Sequence, residues 1–290
     1  MWTKRGDGIA VLYPLGGAIL IWIEEREQGL VLRGGFGVPW KCAWVSRRSQ
    51  VADFERIVAV VTGATRGIGW AISEALVARG SRVVISSRTA SDVEASARKL
   101  SEQGPGKAHG IVCDVREPEQ CTGLMQNVVN RFGRLDILVN NAGLGRFAPI
   151  QELNPEDWDL QIRTNLDGAF HCSRAAVPHL IEAGRGWIVN IGSLAGRNAF
   201  SGGVAYNASK WGLLGMSEAM MLDLRHQGVR VTCVMPGSVN TDFFGGGPDP
   251  DASWMLQPED VARAVLNILS FPERALPSRI ELRPTRPPEK

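Results

Sequence analysis

From Arg56 onward the chain alternates short, β-branched apolar runs with longer segments of helical periodicity, and this alternation restricts the possible folds more than any other feature. The predicted strands are Ile57–Thr62, Arg82–Ser86, Gly110–Cys113, Leu135–Asn140, Trp187–Ile191, Val229–Met235 and Arg279–Leu282. The predicted helices are Ile68–Arg79, Ser91–Gln103, Pro118–Phe132, Pro155–Ala183, Ala205–Gln227 and Pro258–Leu269. Nearly continuous apolar strands that are separated by helices of about ten residues or more indicate a parallel sheet with helices on both faces.

Because the crossover connections of parallel sheets are almost always right-handed, this pattern predicts an α/β fold, a single doubly wound (Rossmann) three-layer domain with a seven-stranded parallel sheet. We expect the domain to cover residues 54–290. In such folds ligands bind beyond the carboxyl ends of the strands. The notable polar residues of this chain follow predicted strands or begin the next helix, so we expect them to line one crevice.

The composition excludes several classes of function. With 32 basic and 30 acidic residues the net charge is only +2, so we expect no nucleic-acid binding. The five cysteines are scattered without any C-x-x-C pair, and the four histidines lack metal-ligand spacing, so we expect no metal and no disulfide framework. This use of cysteine is typical of a reducing compartment, and we expect the protein to be cytoplasmic.

Residues 1–53 do not share the pattern of the rest. The apolar run Ile9–Ile23 is shorter than a membrane-spanning helix, contains Pro14, and is followed by charged residues instead of a signal-peptide cleavage site. We therefore expect a non-domain leader that is poorly ordered or results from an overlong translation start, and we regard membrane association as unlikely. Weak membrane association and an ordered arm that contacts a partner stay open as alternatives.

The segment Val60–Ser73, "VVTGATRGIGWAIS", changes from a strand pattern to a helix pattern through three glycines. Gly63 ends the strand, whereas Gly67 and Gly69 would let backbone amides at the start of the helix approach a pyrophosphate, where the helix dipole favours negative charge. Taken alone, such a loop is weak evidence, because glycine also serves ordinary tight turns.

Three segments together resemble the short-chain dehydrogenase/reductase family: "TGATRGIG" at Thr62–Gly69, "NNAG" at Asn140–Gly143 and "YNASK" at Tyr206–Lys210. The resemblance covers about Ile57 to Pro284, and the motifs occur in the family's order. It implies an oxidoreductase that binds a nicotinamide dinucleotide. By the same resemblance the loop residues that bind the cofactor are Gly63, Thr65, Arg66, Gly67, Ile68 and Gly69.

The resemblance also assigns cofactor contacts beyond the later strands. Asp114 and Val115 would contact the adenine, and the segment Asn141, Ala142 and Gly143 would lie beside the adenosine ribose. The segment "PGSVNT" resembles the part of the family that holds the nicotinamide carboxamide, through Pro236, Gly237, Val239 and Thr241. Each of these segments alone would be ordinary turn chemistry.

The second strand supplies the evidence on cofactor choice. An NAD enzyme of this fold places a carboxylate about 20 positions beyond the loop, whereas an arginine there accommodates the 2′-phosphate of NADP. Here Ser87 and Arg88 follow the strand, no carboxylate occurs before Asp92, and Arg66 adds a second cation. We therefore expect NADP(H) to be preferred over NAD(H), the alternative being that both arginines are merely solvated surface charges.

Four residues form the predicted catalytic set. Tyr206 and Lys210 lie one helical turn apart, so they share a face, and a nearby ammonium should lower the pKa of the phenol. Ser193, at the end of the fifth strand, would donate a hydrogen bond to the substrate carbonyl. Asn165 resembles the family asparagine that distorts its helix and orders a water beside the lysine. Tyr206 and Lys210 would also contact the nicotinamide side of the cofactor.

The expected reaction interconverts a small-molecule carbonyl and an alcohol, with Tyr206 as the acid or base. The C-terminal "LPSRIELRPTRPP" resembles the endings of bacterial 3-oxoacyl-thioester and small-ketone reductases, which is only a hint at the substrate. Apolar residues could line its pocket, namely Phe147, Phe200, Phe243, Phe244, Trp254 and Met255. Alternatives are an epimerase or dehydratase of the extended relatives, and a catalytically idle NADP-binding regulator or scaffold. Family resemblance also implies a homo-oligomer, a dimer or tetramer.

Overall fold

The computed structural model describes residues 8–10, 21–26, 29–34, 54–244, 247–249 and 251–288. The chain divides into two compact units, residues 1–47 and 48–290. In the first unit three strands form an antiparallel sheet in chain order: β1 (Gly8–Ala10), β2 (Ile21–Arg26) and β3 (Gly29–Gly34). Most of the apolar run Ile9–Ile23 lies outside the described residues, and the interpretation of residues 1–53 as a leader stays a prediction.

The second unit contains the seven-stranded parallel sheet that the sequence predicts. Its strands are β4 (Val58–Thr62), β5 (Arg82–Ser87), β6 (Lys107–Val112), β7 (Ile137–Asn140), β8 (Gly186–Ile191), β9 (Val229–Pro236) and β10 (Arg279–Leu282). They are ordered β10-β9-β8-β7-β4-β5-β6 across the sheet. The strand order reverses between β4 and β7, which makes the carboxyl ends of these two strands the switch point where such folds bind ligands.

Helices cover both faces of this sheet. They are α1 (Gly67–Val77), α2 (Ala90–Ser101), α3 (Pro118–Phe132), α4 (Pro155–Ile162), α5 (Gly168–Glu182), α6 (Val204–Leu224) and α7 (Pro258–Leu269). Alternate residues of β4 point to opposite faces: Ala59 and Val61 join the core with α1, α2 and α7, whereas Val58 and Val60 join the core with α3 and α5. Every residue of β4 is buried, as expected for a central strand of a parallel sheet. Together these layers form the Rossmann fold.

Most element boundaries differ from the sequence prediction by one to three residues, and one predicted helix is divided. The predicted helix Pro155–Ala183 is interrupted by a π-helical turn at Arg163–Asp167, which separates α4 from α5. Strand β6 begins at Lys107 instead of Gly110, because Lys107 and Ala108 pair with Arg82 and Val83 of β5. At this edge of the sheet Lys107 is exposed and Ala108 is buried, so the segment lacks the apolar run by which the other strands were predicted.

Among the helices of the described residues, none is long and apolar enough to cross a membrane. The same part of the chain holds no group of three or more histidine, cysteine or carboxylate side chains positioned to bind a metal ion.

Candidate active site

The glycine loop between β4 and α1 has backbone geometry that side chains rarely adopt. Gly63 and Gly67 have φ of +62° and +57°. A Cβ on Gly63 would lie 2.8 Å from the Cα of Ala142, so the loop after β4 approaches the loop after β7 at backbone contact distance. A Cβ on Gly69 would lie 2.7 Å from the carbonyl oxygen of Gly63, so this glycine lets α1 begin directly against the loop.

Thr62 and Asn141 fasten the two loops together. The Thr62 hydroxyl accepts hydrogen bonds from the backbone N–H groups of Asn141 and Ala142, each at 3.0 Å. The Asn141 side-chain amide donates to the carbonyl oxygens of Thr62 and Gly63 at 2.9 and 3.0 Å. The amide of Asn141, expected beside the ribose, therefore holds the shape of the glycine loop. Thr62 begins the motif that resembles the family, but the sequence analysis gave its hydroxyl no role.

The N-terminus of α1 can accept an anion. Its N-cap, Arg66, has an extended backbone, and no side chain of the described residues caps the helix or places a carboxylate in its first turn. Gly67 and Ile68 border the cavity described below. Free backbone N–H groups at the positive end of a helix dipole are a favourable site for a phosphate, so this end of the cavity fits the pyrophosphate of a dinucleotide.

A cavity of about 750 Å³ runs along the carboxyl ends of the strands. It brings together all the predicted site residues except Gly69 and Asn165, which lie behind its wall. Those that line it are Gly63, Thr65, Arg66, Gly67, Ile68, Ser87, Arg88, Asp114, Val115, Asn141, Ala142, Gly143, Ser193, Tyr206, Lys210, Pro236, Gly237, Val239 and Thr241. Sequence motifs that are as much as 178 residues apart, from Gly63 to Thr241, thus share one crevice, although their individual roles stay predictions.

Several charged groups of this cavity follow β4, β5, β6 and β9. The Arg66 side chain is 74% exposed and forms an ion pair with Asp242, a residue of the loop that follows β9. Arg88 is also exposed and borders the cavity. Hydrogen bonds from Arg116, 2.9 Å from its Nε to Oδ1, hold the pKa of the Asp114 carboxyl below its usual range, and the charge of Arg88 acts in the same direction.

Asp242 and Arg116 were both missed by the sequence reasoning. Arg116 could have been found from its position two residues after Asp114, because a carboxylate with an arginine so close in a turn often forms a local ion pair. The contact between Arg66 and Asp242 joins residues 176 positions apart, and no sequence pattern points to it.

Ser193 and Tyr206 come together where β8 ends and α6 begins. Ser193 follows β8, and its hydroxyl accepts a hydrogen bond from the backbone N–H of Ala195 at 3.1 Å, which starts a 3₁₀ turn. Ser193 and Tyr206 both line the cavity. Burial raises the pKa of Tyr206 to about 12, and the nearby Ser193 hydroxyl opposes part of this rise.

The Tyr206 result corrects one expectation. We expected the ammonium of Lys210 to lower the pKa of the phenol, but burial raises it and Lys210 is not among the causes of the shift. The reason is the direction of the lysine side chain: its Nζ lies 5.7 Å from the centroid of the tyrosine ring and donates a hydrogen bond to the carbonyl oxygen of Ile191 at 2.9 Å. The shared helical face is confirmed, whereas the electrostatic consequence is not.

Lys210 is itself strongly perturbed. It is only 6% exposed, and burial lowers its pKa from 10.5 to about 8, because the ammonium loses hydration that one carbonyl does not replace. Ile191, which supplies that carbonyl, is the last residue of β8 and lies two positions before Ser193. One strand end therefore positions both the Ser193 hydroxyl and an acceptor for the lysine.

Asn165 is buried behind the cavity at the middle of the π-helical turn. Its carbonyl oxygen accepts from the backbone N–H of Leu144 at 2.8 Å, and its amide donates to the Leu144 carbonyl at 2.8 Å and to the Ser209 hydroxyl at 3.0 Å. A Cβ on Gly143 would lie 3.2 Å from its Oδ1 and 3.8 Å from the Nζ of Lys210. Asn165 thus links the π-helical turn, the loop after β7 and the segment of α6 that contains Tyr206 and Lys210.

Aromatic residues surround Tyr206 on the other side of the cavity. Its ring lies 5.6 Å from the ring of Phe147, 6.4 Å from Phe200 and 5.6 Å from Phe243, measured between centroids. These three residues and Trp254 line the cavity as the sequence suggested, whereas Met255 is not among the lining residues. The side chain of Phe244 lies outside the described residues.

The C-terminal segment also reaches the cavity, which the sequence reasoning did not predict. Strand β10 pairs with β9 so that Leu282 lies opposite Pro236. Arg283 and Pro284 therefore come beside Gly237, whose Cβ would lie 2.9 Å from the Cδ of Pro284. The weak predicted strand Arg279–Leu282 was the available signal, since its pairing with β9 brings the following residues to the site.

Comparison with known proteins identifies the family. The family model described as "short chain dehydrogenase" matches residues 57–248, which is more than half of the chain. The chain belongs to this family of oxidoreductases. It is 36% identical over 236 residues to a sepiapterin reductase from Chlorobaculum tepidum, an alignment that covers 79% of this chain and 96% of the relative.

Two further relatives agree with this assignment. A D-threitol dehydrogenase from Mycolicibacterium smegmatis is 38% identical over 224 residues, which cover 73% of this chain and 85% of that protein. An X-ray structure of an alcohol dehydrogenase from Thermococcus sibiricus, complexed with 5-hydroxy-NADP, has a TM-score of 0.75 and 30% identity, and the match covers 81% of this chain and 99% of the other. The short-chain dehydrogenase fold and family expected from the sequence are confirmed.

Proposed function

We propose that this short-chain dehydrogenase is an NADP(H)-dependent oxidoreductase that interconverts a carbonyl and a secondary alcohol, with Tyr206 as the proton donor or acceptor. The observation that carries the proposal is that Ser193, Tyr206 and Lys210 line the same cavity as the glycine loop, with the Nζ of Lys210 5.7 Å from the centroid of the Tyr206 ring. The reductase and dehydrogenase among its relatives support an oxidoreductase without choosing a direction.

Residues along the whole cavity would hold the cofactor. The uncapped N-terminus of α1 would bind the pyrophosphate, and the segment from Pro236 to Thr241 would hold the nicotinamide end. Arg66 and Arg88 would bind the 2′-phosphate, since both border the cavity and no carboxylate replaces them at the end of β5. The 5-hydroxy-NADP bound to the alcohol dehydrogenase from Thermococcus sibiricus supports this arrangement.

When bound, the nicotinamide would supply or accept the hydride at the carbonyl carbon. The Ser193 hydroxyl would donate a hydrogen bond to the substrate oxygen and polarise it. Tyr206, whose pKa lies near 12, stays protonated at neutral pH and would donate its proton to that oxygen as the alcohol forms. Lys210 would restore the proton through the solvent network or the ribose, with its Nζ anchored on the Ile191 carbonyl. A protonated phenol favours reduction near pH 7.

The cofactor preference is tested by comparing kcat/KM for NADPH and NADH with one carbonyl substrate. We expect NADPH to be used more efficiently, and Arg66→Ala combined with Arg88→Ala to remove most of the difference through the KM for NADPH. Equal or better use of NADH by the unchanged protein would refute the preference, and the arginines would then be surface charges.

The reaction is tested by screening a broad panel of carbonyl compounds for loss of NADPH absorbance. We expect Tyr206→Phe to abolish turnover while NADPH still binds, because the substitution removes only the proton-donating hydroxyl. Retained turnover would remove the tyrosine from its role. Silence of the unchanged protein across the panel, together with tight NADPH binding, would favour the idle regulator, which no observation now supports.

We further propose a cytoplasmic homo-oligomer, a dimer or tetramer, that associates through the long helices. Five large apolar side chains on α4, α5 and α6 are exposed, namely Trp158, Phe170, Val204, Trp211 and Leu222. Patches of this kind often mark contacts between subunits. Sedimentation will give the subunit number, and cell fractionation will test the location.

A chain shortened to begin near Phe54 that lost activity would contradict the interpretation of residues 1–53 as a leader.

A further inference from the structure

The substrate side of the cavity contains a continuous aromatic wall, by which we mean Phe147, Phe200, Phe243 and Tyr206. Phe147 contacts Phe200 at 5.7 Å between centroids, and it meets Tyr206 nearly edge to face, at an interplanar angle of 71°. Phe243 meets Tyr206 at 62°. Phe147 and Phe200 are 39% and 46% exposed although both line the cavity, so part of each ring is presented to whatever enters.

Two glycines make room for this wall. A Cβ on Gly145 would lie 2.9 Å from ring atoms of both Phe147 and Phe243, and it would overlap the tip of the Phe147 ring. A Cβ on Gly203 would lie 2.6 Å from two ring atoms of Phe200. Any other residue at these positions would displace the rings. The three phenylalanines therefore occupy places that the backbone leaves open for them beside the phenol.

The charged groups of the cavity lie away from the wall or already have partners. Arg66, Arg88, Asp114 and Arg116 follow β4, β5 and β6, at the end where the 2′-phosphate and adenine would lie. Beside the wall, Lys210 is bonded to the Ile191 carbonyl. A further cation of the lining, Arg283, is paired with Glu281 at 2.7 Å. A hydroxyl-rich substrate would give up its hydration here for few partners.

We infer that the protein acts on aryl carbonyl compounds and the corresponding benzylic alcohols, with the aryl ring of the substrate packed against the aromatic wall and its carbonyl oxygen at Tyr206 and Ser193. Aromatic rings gain edge-to-face and offset contacts with one another beyond the burial of apolar area, and a saturated ring of similar size does not. The wall should therefore bind aromatic rings more tightly than saturated apolar rings. This inference rests on the proposed function and names the substrate class of the same site.

The experiment compares acetophenone, cyclohexyl methyl ketone and hydroxyacetone, with NADPH consumption as the readout. The first two differ in ring character at similar size, and the third is a small polar ketone. For each variant we take the ratio of kcat/KM between the aryl and the cyclohexyl ketone, so that their different intrinsic reactivities cancel when variants are compared. The variants are Phe147→Leu and Phe200→Leu, and the matched control is Phe271→Leu, which removes a ring that is 45% exposed and does not line the cavity.

We expect the unchanged protein to reduce acetophenone more efficiently than hydroxyacetone. The aryl-to-cyclohexyl ratio should fall roughly two- to tenfold in Phe147→Leu and Phe200→Leu, the usual worth of an aromatic pair beyond area burial, mainly through the KM of the aryl ketone. Phe271→Leu should leave the ratio unchanged. Unfolding temperatures identify a cavity variant that fails to fold. The other cavity variant then tests the inference.

Two outcomes overturn the inference. If the cavity variants that fold keep the ratio of the unchanged protein, or if hydroxyacetone is the best of the three substrates, the wall does not select aryl groups, although the proposed carbonyl reduction stands. If none of the three ketones nor any member of the broad carbonyl panel is reduced, the proposed function fails, and the inference fails with it.

Discussion

The replacement of Lys210 by methionine tests the electrostatics of the site directly. Methionine has a similar length and is apolar, so the variant removes the buried ammonium with little change in packing. In the native protein burial lowers the pKa of Lys210 from 10.5 to about 8. Each pKa unit corresponds to about 1.4 kcal/mol, so below pH 8 the folded state holds this charge at a cost of roughly 3 kcal/mol.

The sign of the pH dependence follows from proton counting. Between about pH 8 and pH 10.5 the unfolded chain keeps a proton on Lys210 that the folded chain has lost. Stability therefore rises with pH across this window, and the cost of the buried charge disappears near its upper end. From pH 7.0 to pH 9.5 the native protein should gain about 2 kcal/mol relative to Lys210→Met. Tyr206, with its pKa near 12, stays protonated throughout.

At pH 7.0 itself the two effects of the substitution oppose each other. Removal of the charge stabilises the variant by roughly 3 kcal/mol, whereas the Ile191 carbonyl loses its partner at a cost of about 1–3 kcal/mol. We therefore expect the variant to be as stable as the native protein or slightly more stable, although it is inactive. The difference between the two pH values is the sharper quantity, because the lost hydrogen bond cancels in it.

The measurement is urea unfolding followed by tryptophan fluorescence at pH 7.0 and pH 9.5, at one protein concentration, for the native protein, Lys210→Met and Lys107→Met. Lys107 is exposed on the edge strand β6, so its replacement is the matched control and should leave the pH dependence of stability unchanged. If Lys210→Met and the native protein have parallel free energies of unfolding at the two pH values, the lysine is not the perturbed group that its burial implies.

Three other substitutions test the loops and their contacts. Asp242→Asn frees Arg66 from its ion pair. Because exposed ion pairs contribute up to about 1 kcal/mol, we expect fluorescence titration to show NADPH binding up to about fivefold tighter. An equal gain for NADH would show that the 2′-phosphate is not involved. Gly63→Ala should cost roughly 1–3 kcal/mol in urea unfolding and abolish dinucleotide binding, whereas Gly123→Ala in α3, where an added Cβ meets nothing within 4 Å, should be neutral or stabilising. Asn165→Ala leaves the backbone N–H and carbonyl groups of Leu144 without their partner, and it should lower the free energy of unfolding by about 3 kcal/mol. An unchanged unfolding temperature would mean that water replaces the amide.

Much of the fold could be predicted because its determinants are local. The strand and helix periods and the glycine positions are apparent from consecutive residues. They predicted the seven-stranded parallel sheet. The π-helical turn at Arg163–Asp167 could not be predicted from the apolar pattern, which continues through it; only the resemblance of Asn165 to the family asparagine indicated a distorted helix there. The turn places Asn165 so that its amide bonds the backbone of Leu144, 21 residues earlier in the chain. Tertiary contacts of this kind decide local geometry without leaving a periodic signal.

The candidate site also has some features that the sequence predicted and others that it could not predict. The spacing of Tyr206 and Lys210 predicted a shared face, and the structure confirms it, but spacing could not say which group the lysine reaches. The carbonyl of Ile191 takes the lysine Nζ, so the pKa of the phenol is set by burial and by Ser193. The pairing of Arg66 with Asp242 was hidden for the same reason. Side-chain direction depends on neighbours that only the folded chain supplies.

The end of β8 positions several groups of the candidate site. Ile191 ends this buried central strand and Ser193 follows it, so the acceptor for Lys210 and the hydroxyl beside Tyr206 share one short backbone segment. Gly196 then lets α6 approach: a Cβ there would lie 2.8 Å from the carbonyl oxygen of Lys210. A shift of α6 against β8 would therefore change the surroundings of Lys210 and Tyr206 together. Because both side chains lie on α6, the helix sets the spacing between phenol and ammonium, and the packing of α6 on β8 sets their position relative to Ile191 and Ser193.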